Sequence, residues 1–277
     1  MLWWVVLAGC GGGDRCDDGE VRKGERCVPY QPGEPEPSDA VPIATGATWQ
    51  WQLTGQHDLS WDVDVYDLDL FRIDEQDVAT VHDDGRLLLC YFSAGSYEPW
   101  RPDADAFPEE VVGKGLDGWP DERWVDHTDS RVRQIMTDRM DLAVQLGCDG
   151  IEPDNVTAYQ ENNGFGLSAT EQLDYNRFLA DEAHVRGLGI ALKNDVEQVK
   201  ALVDWFDYAV NEECYAYEEC QRERSFVDAD KAVLNAEYVD RWKDAEALAD
   251  EVCGGEPGLS TIIKTWDLGP ELVACPP

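Results

Sequence analysis

Carboxylates collect where short apolar runs end. Gly147 to Asn155 reads G-C-D-G-I-E-P-D-N, an apolar strand running out into Asp149, Glu152 and Asp154, with Asn155 completing the group. Pro153 restricts its own φ and the residue before it, so Glu152 is held extended while the residues after the proline turn toward solvent. Other apolar runs end in a similar way, at Tyr91 and Ser93, at Asp126, at Lys193, Asn194 and Asp195, at Asn211 and Glu212, and at Glu237 and Tyr238. An acidic loop capping a helix would account for any one of these endings alone. Taken together, several carboxylates without clustered His or a reactive Cys point to glycosidic bond cleavage, which needs one carboxylate as nucleophile or base and a second as proton donor. Like charges held close raise the proton affinity of one member, so a donor keeps its proton near neutral pH while its neighbour stays ionised. Lys193 is suited to hold the ionised member down, and Glu152 is then either a catalyst or a buried partner of that lysine.

Elements of two kinds must position these groups. Trp49 to Leu53, Val63 to Phe71, Arg86 to Phe92, Trp124 to Asp126, Gly189 to Lys193, Tyr208 to Asn211, Val233 to Tyr238 and Thr261 to Lys264 read as strands, alongside the stretch into Asp154. R-L-L-L-C-Y-F is a continuous apolar run of the sort buried on both faces of a parallel sheet. Amphipathic helices fall between the strands. Asp129 or Ser130 caps one with Val132, Ile135, Met136, Met140 and Ala143 inward, and Gly147 ends it. Ser168 and Glu171 form a capping box for a second, and Val196 to Phe206 and Ala245 to Val252 supply two more. The Asp62, Asp64, Asp67 and Asp69 row lacks the glycine and terminal glutamate of an EF-hand loop, so it reads as a solvated or site-facing strand edge. Regular alternation over this length predicts an α/β fold, a (β/α)8 barrel, in which function gathers at the carboxyl ends of the strands. No Gly-rich dinucleotide or phosphate-binding motif is present to favour a doubly wound sheet.

The chain has 277 residues, 43% of them hydrophobic, enough for one large core. Twenty-two Lys and Arg against 58 Asp and Glu leave a net charge of −36, which disfavours nucleic acid or an anionic membrane surface as a partner and admits a cationic ligand, although acidity that serves only solubility or a salty habitat gives the same composition. Met1 to Gly9 reads M-L-W-W-V-V-L-A-G before Cys10, the layout of a signal segment with a lipobox, so Cys10 is expected to be lipidated and to supply the only membrane attachment. Residues 10–42 then read as a linker with one small disulfide loop, and 43–277 as the catalytic domain. Without Cys10, eight of the nine cysteines remain, which suits an oxidising compartment. Proximity suggests the pairs Cys16 with Cys27, Cys214 with Cys220, and Cys253 with Cys275, while Cys90 and Cys148 read equally well as buried free thiols or as a bridge. The four His show no ligand spacing and no C-x-x-C occurs, so no metal or cofactor is expected.

Five ordered segments carry a family resemblance: C-Y-F-S-A-G-S-Y-E-P-W-R-P-D from Cys90, L-D-G-W-P-D-E-R-W from Leu116, G-C-D-G-I-E-P-D-N from Gly147, L-K-N-D from Leu192 and V-N-E-E-C from Val210. Together they resemble glycoside hydrolase family 114 over roughly Thr48 to Trp266. The resemblance implies a (β/α)8 barrel with endo-α-1,4-polygalactosaminidase activity on partly deacetylated galactosamine polymers. It puts the retaining pair on Asp154 as nucleophile and Glu212 as acid/base, with Glu213 beside it as the alternative donor. Tyr91, Ser93, Asp126, Glu152, Asn155, Lys193, Asp195, Asn211, Glu237 and Tyr238 are expected to bind substrate. Tyr91, Trp124, Tyr238 and Trp266 are each either packing residues or sugar platforms. A deacetylated polymer is cationic, so composition and resemblance agree on the partner. The protein is read as an exported monomer, lipid-anchored in a bacterial envelope or extracellular. Competing readings are a non-catalytic lipoprotein that binds amino-sugar polymer, and a glycan hydrolase of another sugar specificity.

Overall fold

A computed structural model of the protein describes Cys16, residues 19–23 and residues 26–276. The signal segment and Cys10 lie outside the described residues. Eight parallel strands form the centre: β1 (Trp49–Gln52), β2 (Val65–Asp69), β3 (Leu87–Ser93), β4 (Gly150–Asp154), β5 (Gly189–Lys193), β6 (Tyr208–Glu212), β7 (Val233–Val239) and β8 (Leu259–Thr265). They neighbour one another in chain order, and every adjacent pair from β1 to β8 is parallel. β8 returns against β1, and side chains bind the seam: Trp49 Nε1 donates to Ser260 O at 2.8 Å, and Lys264 Nζ to Gln50 Oε1 at 2.8 Å. The expected (β/α)8 barrel is therefore present, with a short antiparallel strand, Val273–Ala274, on the far side of β8.

Helices α1 (Glu75–Asp83), α2 (Ser130–Leu146), α3 (Ala169–Val185), α4 (Val199–Leu202), α5 (Arg224–Asp228) and α6 (Ala245–Val252) run between the strands. The capping chemistry is local. Asp129 accepts the Arg131 N–H at the start of α2, Gly147 ends it with φ +95°, and Ser168 and Glu171 make a reciprocal box at α3. α4 is a single turn rather than the longer helix expected from Val196 to Phe206, because Asn194 and Asp195 take left-handed φ of 51° and 47° and divert the chain first.

One expected barrel strand is elsewhere. Of the expected strand Trp124 to Asp126, Trp124 and Val125 end a strand of a separate antiparallel sheet of Ser96–Tyr97, Val112–Leu116 and Trp119–Val125, inserted between β3 and α2. An Asp117-Gly118 turn, with Gly118 at φ +83°, folds two of its strands back on each other. β3 pairs directly with β4, so no barrel position was left for it.

Within the stretch read as a linker, Glu20–Lys23 and Arg26–Pro29 form a hairpin tied by Cys16–Cys27. The chain beyond lies along α3: Arg177 Nη1 donates to Tyr30 Oη at 2.8 Å, and Glu36 N to Asp181 Oδ1 at 3.1 Å. Ile43 enters the core just before β1.

The three disulfides expected from proximity form, and Cys90 and Cys148 make a fourth. Cys90 lies on β3 and Cys148 two residues before β4, and the two strands pair with Cys90 directly opposite Ile151. That bridge spans 58 residues, the longest separation of the four. By loop entropy it should stabilise the fold by about 4 kcal/mol, so Cys90→Ala/Cys148→Ala is expected to lose up to that amount in urea unfolding while keeping the cleavage rate of folded protein.

Candidate active site

Period-2 alternation sends every second strand residue into the barrel. Trp51, Asp67, Tyr91, Glu152, Asp154, Lys193, Glu212 and Tyr238 share that interior, and all except Asp67 and Glu152 line a cleft of about 530 Å³ at the carboxyl ends of the strands. Lys193, 2% exposed, is its hub. Its Nζ lies 3.1 Å from each of three carboxylate oxygens: Glu152 Oε1, Asp154 Oδ1 and Glu212 Oε2. The Trp51 ring centroid stands 4.6 Å from the same ammonium. Burial alone would lower the lysine pKa, but Asp154, Glu152 and Glu212 outweigh it and hold the value well above the ordinary one. The ammonium is permanent.

Asp154 is fixed at both oxygens. Asn155 N donates to Oδ1 at 2.7 Å and the Tyr91 hydroxyl to Oδ2 at 3.0 Å. Glu212 receives Tyr238 Oη at 2.5 Å on one oxygen and Asn194 Nδ2 at 3.2 Å on the other. Burial raises the pKa of both phenols well above the ordinary value, so they act as donors. Glu213 follows Glu212 with a left-handed φ of 58°, which turns it out of the lining of the cleft. The oxygens of Asp154 and Glu212 that face Lys193 can be no more than 6.2 Å apart, twice the 3.1 Å contact.

The strand exits are held tightly. Asn155 has φ 61°, a left-handed conformation that carries Asp154 and Asn155 against the loop after β3. There Gly95 is obligatory, since a Cβ at that position would lie 1.8 Å from Asn155 O. Arg139 of α2, 2% exposed, donates to Ser93 O at 2.6 Å and to Asp103, anchoring the same loop from outside.

Of the residues expected at the site, Tyr91, Asp154, Asn155, Lys193, Glu212 and Tyr238 come together on the cleft. Ser93 and Glu152 lie beneath it, Ser93 accepting Asn155 Nδ2 at 2.9 Å. Four others do not line it. Asp126 follows the inserted sheet, where it accepts from Thr128 N and Oγ1. Asp195 turns toward α3 and accepts Asn176 Nδ2 at 2.9 Å, and burial pushes its carboxyl up to about 8. Asn211 precedes inward Glu212, so alternation sends it out of the barrel to Glu223. Glu237 likewise precedes Tyr238, and it accepts Tyr215 N at 2.8 Å, bracing the loop after β6. Trp124 packs with Leu116, Ala158 and Leu167, whereas Trp266 lines the cleft and stacks on Tyr238 at 4.3 Å between centroids.

Sequence reasoning missed one wall. Arg101 Nη1 donates to both oxygens of Asp69 at 2.7 Å and its Nε to Glu98 at 2.8 Å. Glu122, brought over from the inserted sheet, accepts Ser96 Oγ at 2.6 Å, and burial pushes its carboxyl up to about 7. Trp100 and Trp119 stand exposed at the rim. The signal for Asp67 and Asp69 was their spacing of two, which faces both inward on β2 once that strand is in the barrel. Among the described residues, possible metal-ligating atoms gather at Cys214, Cys220 and Glu237, where the two sulfurs are already bonded to each other.

Two carboxylates facing one cleft at the mouth of a (β/α)8 barrel are the groups that glycosidic bond cleavage needs, and comparison with known proteins agrees. Among curated proteins no sequence matches the chain. Among solved structures, Aspergillus fumigatus Ega3 in complex with galactosamine is 36% identical, with a TM-score of 0.83 over 88% of this chain and 100% of that one. The glycoside hydrolase domain of PelA from Pseudomonas aeruginosa shares the fold at 14% identity and a TM-score of 0.65, covering 82% of this chain and 98% of that one. The family model described as Glycoside-hydrolase family GH114 matches residues 31–276. The chain belongs to glycoside-hydrolase family GH114 and is a glycoside hydrolase.

Proposed function

We propose that the enzyme cuts α-1,4-galactosaminidic bonds inside partly deacetylated galactosamine polysaccharide with retention of configuration, Asp154 acting as nucleophile and Glu212 as acid/base. The observation that carries this reading is the clamp of both carboxylates on Lys193. With one oxygen of each held 3.1 Å from the same ammonium, the two carboxylates face one stretch of the cleft and can act on the same glycosidic bond, one as nucleophile and the other as proton donor. In the first step an Asp154 oxygen bonds to the anomeric carbon as the glycosidic C–O bond breaks, and Glu212 gives its proton to the departing oxygen. In the second, water attacks the glycosyl ester, Glu212 takes the water proton, and Asp154 leaves as carboxylate. Lys193, Tyr91 and Asn155 N donate to Asp154 and keep it aimed throughout.

The cleft composition supports an amino-sugar substrate. Asp69, Glu98, Glu122, Asp154, Glu212 and Asp267 line it against Arg72, Arg101 and Lys193, and the last two are already paired to carboxylates. An ammonium-bearing chain therefore meets a negative field that extends about a Debye length, ~10 Å at 0.1 M salt. The galactosamine complex of Ega3 supports the same sugar. Export, with lipid attachment at Cys10, and action as a monomer complete the reading, and four disulfides fit an oxidising compartment.

Product analysis on galactosamine polymers of graded acetylation tests it. Short oligosaccharides are expected from partly deacetylated polymer, with kcat/KM falling several-fold between about 0.05 and 0.5 M salt. Equal turnover of fully acetylated polymer, or intact deacetylated polymer, overturns the substrate assignment.

A further inference from the structure

Beneath Lys193 lie two carboxyls that the reaction above does not use. Asp67 of β2 and Glu152 of β4 are each fully buried, and they are within hydrogen-bonding reach of each other. No N–H or O–H of another residue hydrogen-bonds any of their four oxygens. Lys193 Nζ is 3.1 Å from Glu152 Oε1 as an ion pair, but out of line for a hydrogen bond. Two ionised carboxylates repel at that separation and neither can donate, whereas a carboxylic acid and a carboxylate satisfy one another with a single proton.

We propose that Asp67 and Glu152 are one positioning unit that holds a single shared proton, and that the one negative charge left on the pair opposes the pull of Lys193 on the proton Glu212 donates. The proposal rests on the assignment of Glu212 as acid/base. Charges and titratable groups face the pair from every neighbouring strand: Lys193 from β5, Asp154 from β4, Tyr91 from β3, Tyr208 from β6 and Tyr238 from β7, while β1 contributes the uncharged ring of Trp51. Lys193 is the one cation among them. Were both carboxyls ionised, that ammonium would stand among three negative groups, Asp67, Glu152 and Asp154, with Glu212 carrying its proton. With no charge on the pair, it would draw the donor proton off Glu212 at lower pH. Burial, chiefly, raises Asp67 to about 7 and Glu152 well above its ordinary range, consistent with one retained proton. These are coupled groups, and the proton belongs to the pair rather than to either residue.

Charge counting gives a test that a purely structural role would not pass. Asp67→Asn removes one carboxyl and the shared proton together, so Glu152 takes the charge and the pair stays at −1. Asp67→Asn/Glu152→Gln brings it to zero. The alkaline limb of the kcat/KM profile, which reports loss of the donated proton, should stay in place in Asp67→Asn and move down by about one pH unit in the double variant. A limb that moves in equal steps through the single and the double variant shows two separate charges and overturns the proposal, as does a double variant with an unmoved limb. Carboxyl ¹³C NMR of the parent protein provides a readout independent of variant folding and of substrate. At neutral pH the Asp67 and Glu152 signals should together account for one proton, and two fully ionised carboxylates would overturn the pair. Intact galactosamine polymer with the parent enzyme would instead defeat the substrate assignment and leave the NMR result to decide on the shared proton.

Discussion

Asp154→Asn should lower kcat by roughly 10⁴-fold or more while leaving the fold and KM near those of the parent. The substitution keeps the shape: the amide oxygen can still accept the Asn155 N–H, and the Tyr91 hydroxyl, which now faces the amide nitrogen, can turn to accept from it. What it removes is the atom that bonds to the anomeric carbon. Glu212→Gln is the natural comparison, and it should behave differently. Loss of the donor costs about 10²–10⁴ on polymer, where the leaving sugar needs a proton. With an aryl galactosaminide whose leaving group departs unaided, the first step should survive in Glu212→Gln, and added azide should restore turnover by attacking the glycosyl ester without base assistance. Asp154→Asn should show neither recovery. Single-turnover rates on both substrates, with thermal unfolding as a check on folding, separate the roles. Activity of Asp154→Asn within tenfold of the parent would remove Asp154 as nucleophile.

The barrel was legible because its signals are local. Apolar runs such as Arg86 to Phe92, the Ser168–Glu171 box and Gly147 each act within a few residues, and their alternation implies the architecture. The exits at Asp154 and Glu212 were legible for the same reason: each ends its own strand. What could not be read depends on which strands are neighbours. Trp124 to Asp126 reads as a barrel strand because a short apolar run does not say which sheet it joins, and its tryptophan and valine end a strand of the inserted sheet instead. The same uncertainty left Cys90 and Cys148 open, since their bridge requires β3 and β4 to pair across the insertion. Asn211 and Glu237 miss the cleft because closeness to a strand end says nothing of parity, while Asp195 shares the parity of Lys193 and is diverted by the left-handed backbone at Asn194 and Asp195. One residue earlier or later along a strand exchanges the interior for the helix layer. The Asp69–Arg101–Glu98 wall combines a barrel strand with a loop, so its ion pairs exist only in the folded chain.

Lys193→Met should be the most destabilising single change at the site, by about 3–5 kcal/mol at neutral pH, because it leaves buried carboxylates without their cation. Methionine matches the length of the side chain, so the loss is one of charge rather than volume. In the parent the lysine pKa is raised above its unfolded value, so its contribution is complete below the ordinary lysine range and is lost only as pH rises through the higher folded value. The parent therefore has no acid-side penalty from this residue. In the variant the remaining groups govern the pH dependence. Glu152 lies well above its ordinary range and Asp67 near 7 even with the ammonium present, and its removal raises them further. Groups whose folded pKa is raised bind more protons folded than unfolded, so their contribution falls as pH rises. The deficit of Lys193→Met should accordingly be greatest near about pH 8 and shrink toward about pH 5, where the carboxyls pair as acids. Urea unfolding at the two pH values measures it, and a deficit independent of pH would show that the clamp is not electrostatic. Lys193→Arg should not rescue the variant. A planar guanidinium is bulkier than the ammonium and cannot converge on three carboxylates from three strands as one point charge does. Catalysis should fail in both variants even at pH 5, because neither side chain puts a donating point charge where the Lys193 ammonium holds Asp154 aimed at the anomeric carbon.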